Sequence, residues 1–241
     1  AGHANEERIN RVISSYNPDT KRMASFLSVF EKKIAASNIP YNIYIENLET
    51  KGMADAATWE QTVETFIRSY ERKKLKAVVL LGQEAWSAFM TLGYFPKNIL
   101  FFGAFASSNG ILLPSDRKVV DKNWEPRSVN FVRMLESLGN GGGLFNKYDV
   151  DRNLRLITTL CPGVEHIAFV SDNTYGGISL QALVKQEMMR YPELNLILVD
   201  SRNGEDQVHQ TIATLPDKSV ILIGTWRKGN NGQYFTQNAL S

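Results

Sequence analysis

The sequence predicts an α/β fold built as two Rossmann-like three-layer lobes with parallel sheets, and three observations carry that expectation. Six short apolar runs each stop in a cluster of small, polar or aromatic residues. Buried parallel strands read as such continuous runs because both of their faces are covered. The segments between the runs have helical periodicity, and strand, helix, strand at this spacing means βαβ units with right-handed crossovers. The runs also fall into two sets of three, separated by a stretch at 109–150 where the alternation breaks.

The first run, 11–13, ends in Ser14, Ser15, Tyr16 and Asn17. Asn17 is the expected N-cap of the next helix, with Pro18 at its first position. Met23, Phe26, Leu27, Phe30 and Ile34 follow at spacings of three and four, which places them on one helical face. Trp59, Val63, Phe66, Ile67 and Tyr70 repeat the pattern. The run 77–81 then stops at Gly82, Gln83 and Glu84, and the run 99–102 at Gly103, Ala104 and Phe105. The interruption holds Pro114, Pro126, a helical-looking segment 127–138, and then Gly139, Asn140, Gly141, Gly142 and Gly143. Three consecutive glycines suit a hinge that must absorb a change in φ and ψ, so 140–150 is the expected crossing between lobes. Gly139 as a simple helix C-cap is the plainer alternative.

The first lobe is therefore expected over 6–139, with an insertion at about 109–139, and the second over 151–241. In the second lobe Leu154, Ile157 and Leu160 precede the run 167–170, which stops at Ser171, Asp172 and Asn173. Leu180, Leu183, Val184 and Met188 precede the run 196–199, which stops at Asp200, Ser201 and Arg202. Val208, Ile212 and Leu215 precede the run 220–223, which stops at Gly224, Thr225 and Trp226.

With 241 residues, 43% of them hydrophobic, the chain can bury an ordinary core. A net charge of +2 gives no broad positive field, so no nucleic-acid partner is expected. The longest basic stretch, 68–76, closes a predicted helix, where cations complement the helix dipole. No run reaches the roughly 18 apolar residues of a membrane span, and no charged-then-apolar leader opens the sequence. Ala1, Gly2 and His3 read as the scar of a removed tag. The single cysteine, Cys161, excludes an internal disulfide, and at the end of an apolar helical pattern it reads as a small buried hydrophobe.

Catalytic signatures are missing where they would matter. None of His3, His166 and His209 lies in a strand-end loop, which argues against a serine–histidine–acid triad. Neither glycine-rich phosphate loop occurs, and no zinc or calcium spacing is found. No catalytic residue, cofactor or metal is therefore expected, and the pattern points to binding.

Ligands of open α/β sheets sit outside the carboxyl ends of the strands, where the polar stops fall. Tyr16, Phe105, Tyr175, Trp226 and Trp86 offer flat apolar faces there, while Gln83, Glu84, Asp172, Asn173, Asp200 and Thr225 offer directional hydrogen bonds. Ser15 and Asn17 share the first loop. Arg202 and Arg227 are candidate clamps for a carboxylate or phosphate. Each has a plainer reading: Glu84 and Asp172 as complements of helix N-termini, Trp86 as core, the arginines as solvated surface.

Four segments carry a family resemblance: 11–18 (RVISSYNP), 76–86 (KAVVLLGQEAW), 148–173 (YDVDRNLRLITTLCPGVEHIAFVSDN) and 221–234 (ILIGTWRKGNNGQY). On these the chain resembles type I periplasmic binding proteins. The form it is most similar to serves as the extracytoplasmic sensor domain of bacterial histidine kinases and as the related substrate-binding proteins of ABC transporters. The resemblance implies two α/β lobes closing on a small ligand, a periplasmic location, and a signalling kinase region as partner. It also implies a third crossing that completes the first lobe. No such elements follow the sixth run, so the fold is expected to be C-terminally truncated, with exposed sheet edge favouring a homodimer.

The leading expectation is thus a small-molecule sensor, and the alternative is the solute-binding protein of an ABC transporter. An enzyme acting on a sugar or nucleoside through Glu84, Asp172 or Asp200 stays open, as does the effector domain of a transcription regulator. A sugar, an amino acid and a nucleoside fit the candidate residues equally well.

Overall fold

The computed structural model describes residues 8–17, 19–37, 41–50, 52–70, 75–114, 124–200 and 204–227. Strands and helices alternate as β1 (Arg8–Ser14), α1 (Lys21–Ala35), β2 (Tyr41–Asn47), α2 (Ala56–Tyr70), β3 (Leu75–Leu81), α3 (Gln83–Leu92) and β4 (Leu100–Ser107). A short hairpin of β5 (Asn109–Ile111) and β6 (Ser128–Asn130) leads into α4 (Phe131–Leu138) and β7 (Gly141–Asn146). The first sheet is parallel throughout, in the order β2-β1-β3-β4-β7.

Alternation along the strands divides the first core into two layers. Ile13, Val78, Leu80 and Phe101 pack with Trp59, Val63 and Ile67 of α2 and with Trp86 and Phe89 of α3. Val12 and Leu81 face the other way and meet Met23 and Leu27 of α1. Each fully buried side chain of this size contributes roughly 1.5–3 kcal/mol, which is why the 3.6-residue stripes persist in α1 and α2.

The second sheet follows as α5 (Val150–Leu160), β8 (His166–Ser171), α6 (Tyr175–Met188), β9 (Asn195–Asp200), α7 (Glu205–Ala213) and β10 (Ser219–Ile223). It is parallel, in the order β10-β8-β9. Val150 and Leu154 of α5 and Leu183 and Val184 of α6 cover Ile167 and Phe169 on one face. Val208 of α7 covers Ala168, Val170 and Val199 on the other. Among the described residues no helix is long and apolar enough to cross a membrane.

Four expectations are corrected. The glycine run is strand, not crossing: 141–143 pair in parallel with 101–103 at the sheet edge, and only 147–149 link β7 to α5. Gly143 is needed for close contact, since a Cβ there would lie 2.4 Å from the Gly103 carbonyl oxygen. Gly139, at φ 72°, is the C-cap of α4. The helical segment expected over 127–138 begins only after β6, with the Asn130 side chain accepting from the Arg133 N–H at 3.0 Å. Asn17 does not cap α1: it forms a turn, its Oδ1 accepting from the Asp19 N–H at 2.9 Å, and Thr20 holds the N-cap position. Pro18 lies outside the described residues. Cys161 is exposed rather than buried, because α5 buries only Val150 and Leu154 and its last turn runs past the sheet, with Leu160 69% exposed.

The interruption between the two strand series has a structural role. Tyr175 at the start of α6 is fully buried, and its hydroxyl donates to the Ile111 carbonyl and accepts from the Ile111 N–H, both at 3.0 Å. Ile178 and Ala182 of α6 join the same apolar cluster as Ile111 and Phe131. The β5–β6 hairpin is thus the bracket that holds α6 against the first sheet.

Candidate functional site

A cavity of about 920 Å³ opens between the carboxyl ends of the two sheets. Ligand pockets commonly have volumes of roughly 300–1,000 Å³, so it has the size of a small-molecule site.

The first sheet supplies one wall through tightly tied loops. After β1, the Ser14 hydroxyl donates to the Tyr16 carbonyl at 2.7 Å and accepts from the Tyr16 N–H at 3.1 Å, fixing the turn that sends Tyr16 into the cavity. The Ser15 hydroxyl accepts from the Ala85 N–H at 2.9 Å, which joins the end of β1 to the start of α3. Between them Gly82 has φ 98°, and a Cβ there would lie 2.6 Å from Ser15 Oγ and 2.9 Å from the Tyr16 ring. Only glycine fits that position.

Phe105 reaches the cavity by a different device. The register of β4 against β7 shifts between Gly103 and Ala106, and Phe105 sits inside that irregularity with φ 57°. A bulge of this kind re-aims a side chain, and a bulky residue in the left-handed region persists only where its surroundings hold it. The ring packs edge-on against Phe26 at 5.1 Å between centroids, with the Arg22 guanidinium 5.1 Å from its centre.

Of the sequence candidates, Ser15, Tyr16, Asn17, Gln83, Glu84, Phe105, Tyr175, Thr225 and Arg227 line the cavity. Their side chains are not equally free. The Gln83 amide donates to the Asn109 carbonyl at 2.6 Å and reaches Ser179 Oγ at 3.5 Å, so it ties α3 to the hairpin and to α6. The Tyr175 hydroxyl is consumed by Ile111, and burial pushes its pKa up. Tyr16 is 42% exposed, yet its hydroxyl is pushed up to about 12, mainly by desolvation in the cleft. The Glu84 and Tyr148 charges add to that shift, while Arg22 and Arg227 oppose it. Burial likewise raises Glu84, against the pull of its own backbone N–H and the Ser15 hydroxyl.

Five described candidates lie elsewhere. Asp172 is fully buried: Oδ1 accepts from the Thr174 N–H at 3.1 Å and from its hydroxyl at 2.6 Å, and Oδ2 from the Arg227 N–H at 2.6 Å. Its carboxylate shapes the second wall instead of facing a ligand. Asn173 is exposed and off the cavity, and Asp200 is buried at the end of β9 away from it. Trp226 packs into the second core with Val170, Val199 and Val208. After β10 the chain continues along β8, with the Gly224 N–H on the Val170 carbonyl and the Asp172 N–H on the Thr225 carbonyl. Alternation along that extended backbone turns Thr225 and Arg227 to the cavity and Trp226 to the core. Arg202 lies outside the described residues. Trp86 is fully buried core against Phe89 and Phe145.

The sequence reading missed the loops after β2 and β7. Asn47 ends β2 and Glu49 and Thr50 follow it, while Asn146 ends β7 and Tyr148 follows it; all line the cavity. Strand-end loops are found through their strands, and these two strands were not read. Trp59 of α2 and Thr174 and Gly176 at the start of α6 also line it. Two buried atoms of lining residues have no hydrogen-bond partner, Glu84 Oε2 and Trp59 Nε1. Among the described residues no group of three histidine, cysteine, aspartate or glutamate side chains could hold a metal ion.

The fold, α/β with parallel sheets, recurs in solved solute-binding proteins. The solute-binding protein of an ABC transporter from Rhodopseudomonas palustris, in complex with 3,4-dihydroxybenzoic acid, matches with a TM-score of 0.50 and 8% identity over 92% of this chain and 55% of that one. A ligand-free, open substrate-binding protein with adhesive properties from Clostridium difficile matches with a TM-score of 0.46 and 15% identity over 90% of this chain and 65% of that one. An ABC domain from Streptococcus pneumonia in complex with L-tryptophan matches with a TM-score of 0.46 and 11% identity over 90% of this chain and 65% of that one. The chain therefore spans less than two thirds of the length of these three proteins. Likeness at such identities shows the fold alone. No protein-family model matches the sequence, and no curated protein matches it.

Proposed function

We propose that this chain binds a small molecule in the cleft between its two sheets and acts as the ligand-binding part of an extracytoplasmic solute-binding protein of the transporter-associated kind. The observation that carries the reading is the cavity itself: loops from both sheets converge on it with an exposed ring at Tyr16, a half-buried ring at Phe105 and an unpartnered buried carboxylate oxygen on Glu84. A ligand touching both walls binds the closed arrangement better than the open one, and that difference in affinity is what drives closure. The Rhodopseudomonas neighbour, a transport protein by its description, favours this role over the kinase-sensor reading. The enzyme reading loses ground for a separate reason. Of the three carboxylates on which it rested, Asp172 and Asp200 are buried away from the cavity and only Glu84 lines it.

The test is a thermal-shift screen of sugars, amino acids, nucleosides and simple amines against the purified chain. A ligand at about 100 times its dissociation constant stabilises by roughly 2.7 kcal/mol, which a melting curve resolves. Saturable stabilisation by one class supports the reading, and a flat response across all of them counts against it.

A further inference from the structure

Glu84 has a half-used carboxyl group. It is the second residue of α3, and its donors are its own backbone N–H and the Ser15 hydroxyl. Its Oε2 is buried and has no hydrogen-bond partner, and the residue lines the cavity. Buried polar atoms are nearly always satisfied, and a buried carboxylate without a partner is among the costliest exceptions. A group left so by the fold is waiting for something the fold does not supply.

The surroundings also bear on the charge of the missing partner. The two groups that hydrogen-bond this carboxyl, the Glu84 N–H and the Ser15 hydroxyl, both donate to it, and it lies in the first turn of α3. These donors and the helix N-terminus pull toward the ionised carboxylate, against burial, which raises the Glu84 pKa overall; a cation at Oε2 would supply the charge that ionisation in this desolvated place lacks. Among the described residues no lysine or arginine forms an ion pair with Glu84, while Arg22 and Arg227 act on the Tyr16 hydroxyl instead. Tyr16, whose hydroxyl feels the Glu84 charge, and Phe105 line the same cavity, and their rings suit an apolar body and attract a cation through their faces.

We propose that the ligand of the cleft carries a protonated amine seated on Glu84 Oε2, with its apolar body against the rings of Tyr16 and Phe105. This names the ligand class of the binding cleft and rests on the reading of the cleft as a solute site.

The experiment pairs a panel of alkyl and arylalkyl primary amines, 2-phenylethylamine among them, with their N-acetyl derivatives, which keep the body and remove the charge. D-ribose, D-galactose and adenosine represent ligands without an ammonium group. Calorimetric titration of the native chain is expected to show binding of at least one amine and a loss of about 30-fold or more on N-acetylation. Glu84→Gln is expected to lose a similar factor for that amine while melting no lower than the native chain at pH 7.5. Equal affinity for an amine and its N-acetyl form, undiminished affinity in Glu84→Gln, or binding confined to the sugars and adenosine would overturn the amine class and leave the solute site standing. Binding of no probe at all removes the solute site and the amine class together.

Discussion

Glu84 sets binding against stability at a single residue. Its folded pKa is raised by burial, so below the ordinary glutamate value the acid is neutral in both folded and unfolded chains and costs nothing extra. As pH rises through that value and on through the raised one, the folded state must ionise a desolvated group, and stability falls relative to a neutral side chain. Glu84→Gln is therefore expected to gain melting temperature over the native chain at pH 7.5 and to lose that advantage near pH 4. Paired melting curves check it; an equal offset at both pH values contradicts the assignment. The candidate residues were legible in the sequence only as far as strand ends predict them. Tyr16 and Glu84 follow closely on β1 and β3 and fell into place, as did Phe105 near the carboxyl end of β4, whereas Thr225, Trp226 and Arg227 depended on the alternation of an extended segment whose register no composition reveals.

At the scale of elements, the strands buried on both faces were the readable ones. β3 and β8 run apolar almost end to end, and their polar stops marked the cleft. β2 was not read because it is an edge strand, and 42–46 mix polar and apolar side chains without a continuous run. β7 was hidden by its own requirement for glycine. A Cβ on Gly143 would strike backbone, which cannot rotate away, and one on Gly103 would lie 2.0 Å from the Trp86 indole. Gly143→Ala is expected to destabilise the chain by about 1–3 kcal/mol, the usual range for overpacking, seen as a lower urea midpoint with unchanged slope. The hairpin bracket makes a second prediction at this scale. Tyr175→Phe keeps the ring but leaves the Ile111 N–H without its partner, at a cost of about 1–3 kcal/mol in urea unfolding. No change in the midpoint would show that α6 is held by apolar packing alone.

For the molecule as a whole, the two sheets bring separate sets of strand ends to one cavity, and the β5–β6 hairpin fixes how α6 meets the first sheet. Two series of βα units were evident from the spacing of apolar runs. The way they are joined was not, because the contact runs through one tyrosine hydroxyl and a short hairpin with no periodic signal.

The central claim is that both walls contribute to one ligand site, and calorimetric titration of a ligand found in the screen tests it most directly. The comparison is between the native chain and two variants, Tyr16→Ala in the first wall and Thr225→Ala in the second. Each is expected to bind at least about 5-fold more weakly, the loss of roughly 1 kcal/mol of contact. Weakening by one variant and none by the other would contradict a shared cleft and assign the site to a single sheet.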